Sequence, residues 1–150
     1  MNDSNSLAPI TIKKLTKAEV PDFFAVIKKL RAQLSKKDLQ KRLTAIERIP
    51  GHYFWGAIRG NQKVGFCHAS INVNLSPGGK DIYLNDLIVA ENDRSGGVGS
   101  KLLGEVQKIA KLKGCKRILV TVRTDNLTAL NFYRKKGFGE GYGIRLAKES

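Results

Sequence analysis

The chain has 150 residues, 41% of them hydrophobic, a formal net charge of +14 and two cysteines. This is the size of one domain with one core (1–150). No apolar run approaches membrane-spanning length, and two unpaired-looking cysteines, Cys67 and Cys115, suit neither a disulfide scaffold nor a metal site.

The polar start, Met1 to Ser6, lacks an apolar signal region, so residues 1–8 are expected to form a flexible tail and the protein to be cytoplasmic. Ile10-Thr11-Ile12 alternates as a short strand. Thr16 followed by Glu19 reads as a capping box, and Pro21 suits a first helical turn. A helix is predicted through Phe23, Phe24, Val26, Ile27, Leu30 and Leu34. Ser35 can cap a second helix carrying Leu39, Leu43 and Ile46, ended near Pro50-Gly51. Tyr53 to Ile58 and Val64 to Val73 read as a hairpin about Gly60-Asn61. After the turn Ser76-Pro77-Gly78-Gly79, Ile82 to Val89 is a strand whose alternation sends Leu84, Asp86 and Ile88 to one face.

Arg94 to Lys101 then brings glycines to the point where a helical stripe begins: Val98, Leu102, Val106 and Ala110, with Leu103 and Ile109 beside them. Gly114 closes that helix. Ile118 to Val122 is a nearly continuous apolar run, as in a central strand covered on both faces. Asp125 or Asn126 can cap a short helix through Tyr133 that ends at Gly137, and Gly141 to Ala147 gives a last strand. The order is β-α-α-β-β-β-α-β-α-β, an α/β chain with a mixed sheet, because the strand–helix–strand unit over 82–122 demands a parallel connection.

A glycine turn opening a helix presents unpaired N–H groups at the positive end of the helix dipole, which binds phosphate. A dinucleotide fingerprint would need glycine where Leu102 stands. A P-loop would need Lys before Ser, and here the order is Gly99-Ser100-Lys101. A different pattern fits. Arg94-x-x-Gly97-x-Gly99, followed by Asn126-x-x-Ala129-x-x-Phe132-Tyr133-x-x-x-Gly137-Phe138, resembles the two signature blocks of the GCN5-related N-acetyltransferase (GNAT) superfamily.

That resemblance implies a mixed sheet of about six to seven strands with about four helices, splayed between its fourth and fifth strands to admit acetyl-CoA. It implies that Leu87, Ile88 and Val89 line the cofactor, with the Val89 N–H on the acyl carbonyl, freed from the sheet by a bulge. Arg94, Ser95, Gly96, Gly97, Val98, Gly99, Ser100 and Lys101 would hold the pyrophosphate, Gly96 being extra to the pattern. Asn126, Ala129, Phe132 and Tyr133 would serve the far end, with Tyr133 as general acid. Phe132 reads equally as core, and Asn126 as a helix cap. Local text is closest to small-amine (diamine) acetyltransferases. It departs from them at the base: their glutamate position holds Asn85 here, the histone-type position holds Tyr83, and the position used by ribosomal-protein N-terminal acetyltransferases holds Thr121. Asp86 is the best acidic candidate, since a mid-strand carboxylate is costly unless used or paired. His68 could assist it or be a satisfied sheet histidine, and His52 receives no role.

The expected function is transfer of acetyl from acetyl-CoA to a primary amine, with no metal. The basic connection Gln33 to Asp38 favours a small amine that carries a carboxylate over a polyamine. A protein lysine or N-terminus is the alternative acceptor. A basic nucleic-acid-binding domain ranks last, because the aromatics sit in strand-like or apolar positions rather than among the basic residues. A homodimer is a family-level expectation.

Overall fold

The computed structural model describes residues 8–94, 96–141 and 143–150. It divides into two compact units, one up to Val120 and one from Thr121 to Ser150.

The first unit is built on a five-stranded sheet in the order β1-β2-β3-β4-β5. These are β1 (Ile10–Leu15), β2 (His52–Arg59), β3 (Gln62–Val73), β4 (Lys80–Val89) and β5 (Arg117–Val120). Each neighbouring pair is antiparallel except β4 with β5, which is parallel. The mixed α/β architecture expected from the element order is therefore the one observed. The sheet is smaller than the resemblance implied. The segment 143–147 forms no strand, and its alternating Ile144 and Leu146 are 89% and 88% exposed. Glycines at 141 and 143 weaken any strand preference there, and without a hydrogen-bonding neighbour alternation alone does not make a strand. For the same reason β5 ends the order of described strands, with Ile118, Leu119 and Val120 only half-buried, where the apolar run suggested a central strand.

The first helical stripe is split. A 3-10 turn over Val20–Phe23 carries Pro21, and α1 follows at Phe24–Leu30. Glu19 accepts the Thr16 N–H at 3.0 Å, half of the expected capping box, while Leu34 lies beyond the helix yet is still buried. α2 (Lys36–Ile46) starts as read: the Ser35 side chain accepts the Asp38 N–H at 3.0 Å. One core joins these helices to the sheet through Val20, Phe23, Val26, Ile27, Leu39 and Leu43 packed with Phe54, Phe66 and Ile88. The approach is so close that a Cβ on Gly56 of β2 would run into the Phe23 ring.

α3 (Val98–Leu112) supplies a second apolar stripe, with Val98, Leu102, Leu103, Val106 and Ala110 all buried. A Cβ on Gly65 of β3 would lie 3.0 Å from Val98 Cγ1 and 3.1 Å from Leu102 Cδ1, so this helix sits directly on the middle of the sheet. Cys67, on β3, is fully buried, and Cys115 is half-buried; both are free thiols.

The register of β3 against β4 changes midway. His68 pairs with Asp86, and the next residue, Ala69, pairs with Leu84, so Asn85 is an extra residue on β4. This β-bulge reverses the side-chain alternation of β4. Leu84 therefore shares a face with Ala69, whereas Asp86 and Ile88 share the α1 face with His68 and Phe66. The uninterrupted alternation predicted for Leu84, Asp86 and Ile88 is corrected by that one residue.

In the second unit, α4 (Leu127–Lys135) is capped by Asn126, whose side chain accepts the Ala129 N–H at 3.1 Å.

Candidate active site

Two backbone features converge where β4 gives way to α3. The first is the edge of β4. Its parallel pairing with β5 stops at Leu84↔Val120, but β4 runs on to Val89. The Ala90 N–H donates to Val64 O at 2.8 Å. Backbone groups alternate in direction along a strand, so the Val89 and Leu87 N–H groups point away from β3, toward the edge that β5 has left. The Val89 donor is thus turned outward by ordinary strand phase. The bulge lies at Asn85, not at Val89 as the resemblance suggested.

The second feature is the turn into α3. Gly97 is its N-cap, with φ 75°, a left-handed conformation that glycine adopts without strain, and it makes no side-chain cap. A Cβ at Gly97 would meet nothing within 4 Å. No acidic residue stands in the first turn. The opening N–H groups of α3 lack intrahelical partners by helix geometry and follow a bare glycine whose Cβ direction is open. Arg94, Gly96, Gly97 and Lys101 are exposed, Gly99 and Ser100 are half-buried, and Val98 is core. Ser95 lies outside the described residues.

Arg59, which sequence reasoning did not single out, props this turn from below. From the end of β2 its Nε donates to Asp93 Oδ1 at 2.9 Å and its Nη1 to Ala8 O at 3.1 Å. A Cβ on Gly96 would lie 2.7 Å from Arg59 Nη2. Gly96, the residue extra to the pattern, is therefore the point where the loop rests against the guanidinium. The pairing also neutralises the Asp93 carboxylate, which would otherwise oppose an anion.

The α1 face of the same strands carries a polar cluster. Asp86 Oδ1 accepts from Arg31 Nε at 3.0 Å and from Arg31 Nη2 at 2.8 Å. Asp86 Oδ2 is 3.6 Å from His68 Nδ1. The other nitrogen of His68, Nε2, is 2.9 Å from His52 Nδ1. The His68 ring stacks on Phe54 at 4.6 Å. Burial pushes the Asp86 pKa up, but hydrogen bonding from His68 and Arg31 and the Arg31 charge outweigh it and hold the carboxyl below its usual range. Burial, then the charges of His68 and Lys17, push the His52 pKa down. Burial and the Asp86 charge both raise the Cys67 thiol, which stays protonated. His52 belongs to β2, not to a loop, and its pairing with His68 follows from the β2–β3 register, His52↔Ser70 and Phe54↔His68. No local signal announces a contact between residues 16 apart in sequence.

Among the described residues, no group of three His, Cys, Asp or Glu side chains could hold a metal ion. Within the second unit, Tyr133 is 8% exposed, edge-on to Phe132 at 5.1 Å and to Phe138 at 5.3 Å. It is the deeper member of the Phe132-Tyr133 pair; Phe132 is half-buried.

The chain is similar to known proteins in sequence and in fold. Over 59 residues, the chain is 36% identical to the thialysine N-epsilon-acetyltransferase of Bos taurus, a stretch covering 39% of this chain and 35% of the relative. An aminoglycoside N-acetyltransferase solved in complex with CoA superposes with a TM-score of 0.84, 19% identity, and coverage of 95% of each chain. Glucosamine-6-phosphate N-acetyltransferase of Arabidopsis thaliana gives 0.75, with 18% identity over 94% of this chain and 98% of its own. The sequence model of the acetyltransferase (GNAT) family matches residues 13–138. The chain belongs to the acetyltransferase (GNAT) family.

Proposed function

We infer that the protein transfers an acetyl group from acetyl-CoA to the primary amine of a small molecule by direct attack. The observation that carries this reading is the open β4 edge beyond Leu84 beside the Gly97-capped start of α3. The turn fits a pyrophosphate. Its N–H groups are unpaired by helix geometry, the dipole favours an anion, and Gly97 leaves the space free. Residues 94–101 would hold the phosphates, and the strand 87–89 would run along the rest. Acetyl-CoA supplies the acetyl group as a thioester.

The chain's own groups cover the remaining needs. The outward direction of the Val89 N–H supports assigning it to a developing oxyanion. Tyr133 carries the general-acid role on the strength of its motif, as the phenol that returns a proton to the departing thiolate. Asp86 anchors the polar cluster on the α1 face. Held ionised by Arg31, it is a poor proton acceptor in its own right.

The acceptor we favour carries a carboxylate as well as the amine. The basic 33–38 connection supports this, and so do the relatives named for acetylating the ε-amine of thialysine, itself an amino acid. Calorimetry of acetyl-CoA binding to wild type and Gly97→Glu tests the cofactor half: wild type binds, and the variant, with a carboxylate where phosphate belongs, does not. Thiol release with thialysine, an aminoglycoside, glucosamine 6-phosphate and a polyamine tests the acceptor. A polyamine as best substrate would overturn the carboxylate preference.

A further inference from the structure

The α1–α2 segment carries more positive charge than an acceptor with one carboxylate can use. Between Lys28 and Arg48 stand eight lysines and arginines and only two acids, Asp38 and Glu47. Of the cations, Arg31 is committed to Asp86; of the acids, Asp38 accepts the Ser35 hydroxyl at 2.8 Å in the cap of α2. We propose that the outer face of α2, continued onto α1, is a docking surface for the phosphate backbone of nucleic acid, bound without regard to base sequence.

Helix geometry arranges the charges. Leu39 and Leu43 are buried and Ile46 is half-buried, which fixes the inner side of α2. At 3.6 residues per turn, Lys37, Lys41, Thr44 and Arg48 fall in one row on the opposite side, and all four are exposed. Among the described residues no carboxylate pairs with Lys37, Lys41 or Arg48. Elsewhere the fold does pair its charges: Asp81, Asp86 and Asp93 each accept from an arginine. The α2 row is thus left bare in a chain that matches other charges closely.

Two placements work against local stability. Lys36 and Lys37 open α2, at the end where the helix dipole disfavours cations, and the last turn of that helix has no basic residue. Lys28 from α1 and Lys36 from α2 both lie over the Phe24 ring, 5.6 and 5.7 Å from its centroid. The contact joins the cations of the two helices and gathers like charges on one ring. Such self-repulsion destabilises the protein alone, and a polyanion turns it into attraction.

The shape of the row selects the partner. From Lys37 to Arg48 it spans about 17 Å at 1.5 Å per residue. That is an extended line rather than a cluster converging on one small anion. A nucleic-acid strand offers one charge about every 3.4 Å, so such a line meets several phosphates at once. An interfacial helix would insert its apolar side into lipid, but that side of α2 is buried in the core. Contact with phosphates alone needs no aromatic stacking, which fits basic helices with few aromatics.

The test is fluorescence anisotropy with labelled mixed-sequence duplexes of RNA and of DNA, each about 20 base pairs long, across a range of salt. Wild type should bind both, with log affinity falling against log salt at a slope of about −4 or steeper, at about 0.9 per phosphate contact. The triple variant Lys37→Gln, Lys41→Gln, Arg48→Gln should flatten that slope by about three and weaken binding at least tenfold at roughly 0.1 M salt. Glutamine is a good helix former, and all three positions are exposed, so the fold should persist. Lys41→Gln alone should flatten the slope by about one, which keeps the test decisive should the triple variant not fold. The control removes the same charge from the end of α3 and the turn beyond it: Lys111→Gln, Lys113→Gln, Lys116→Gln, all exposed. It should keep most of the wild-type affinity. An equal loss in the control would mean that binding reports total charge, and the α2 assignment would fall. Failure of wild type to bind either duplex at roughly 0.1 M salt would overturn the proposal. So would binding to phosphatidylserine vesicles without binding to the duplexes, which would assign the face to a membrane. None of these outcomes bears on acetyl transfer, which the amine panel tests separately.

Discussion

Leu84 and Asp86 are two residues apart on one strand, yet their side chains lie on opposite faces of the sheet, because Asn85 between them is a bulge. Leu84 is buried on the face it shares with Ala69. Asp86 is delivered to the α1 face, where Arg31 and His68 meet it. The bulge lies just beyond the point where β5 stops pairing with β4, so the same stretch of chain both opens the edge and turns the carboxylate.

Asp86 therefore has a pH signature. Its carboxyl is held below the usual value of 3.8, so the stability it contributes is present above that value and is lost as pH falls through its lowered pKa. In urea unfolding, Asp86→Asn should be less stable than wild type by about 1–3 kcal/mol at pH 6, the scale for a buried partner left unsatisfied. The gap should narrow toward pH 2. A gap independent of pH would show that the ion pair is not its source.

The depressed pKa of His52 has the opposite chemical sense: burial, then the charges of His68 and Lys17, disfavour its protonated form. Followed by NMR, the titration of the His52 ring should have its midpoint below histidine's ordinary 6.5. Lys17→Ala removes one of the cations that lower it, and should move that midpoint upward.

Gly96→Ala tests the prop beneath the loop. The new methyl would stand 2.7 Å from Arg59 Nη2, so the guanidinium must shift off Asp93. Acetyl-CoA affinity should fall about tenfold, equivalent to about 1.4 kcal/mol. Arg59→Ala should produce a similar loss, and the double variant little more than either alone, because both act through one contact. Calorimetry decides this.

Gly56→Ala should destabilise by about 1–3 kcal/mol or more, because the Phe23 ring occupies the space a Cβ needs. Phe23→Leu in the same chain should recover part of that loss. A double-mutant cycle of urea midpoints measures the coupling, and simple additivity would argue against the clash.

Tyr133→Phe removes one hydroxyl and keeps the edge-on packing with Phe132 and Phe138. The expected result is a kcat lowered by about a hundredfold or more with unchanged acetyl-CoA binding. A variant with full kcat would remove Tyr133 from the acid role.

Local chemistry was legible in the sequence. The Ser35 cap, the α3 stripe from Val98 to Ala110, the β2–β3 hairpin and the glycine turn at Gly97 each depend on residues within a few positions of one another, so periodicity and turn preference suffice. Asn126 as a helix cap is of the same kind. What only the tertiary structure decided depends on register between strands distant in sequence. The extra residue at Asn85 cannot be seen without β3 beside it, and missing it misplaces the face of Leu84 relative to Asp86. The meetings of His52 with His68, of Arg31 with Asp86 and of Arg59 with Asp93 are likewise products of pairing and packing. The segment 143–147 shows the converse: it alternates like a strand and is none, because a strand exists only where a neighbour accepts its hydrogen bonds.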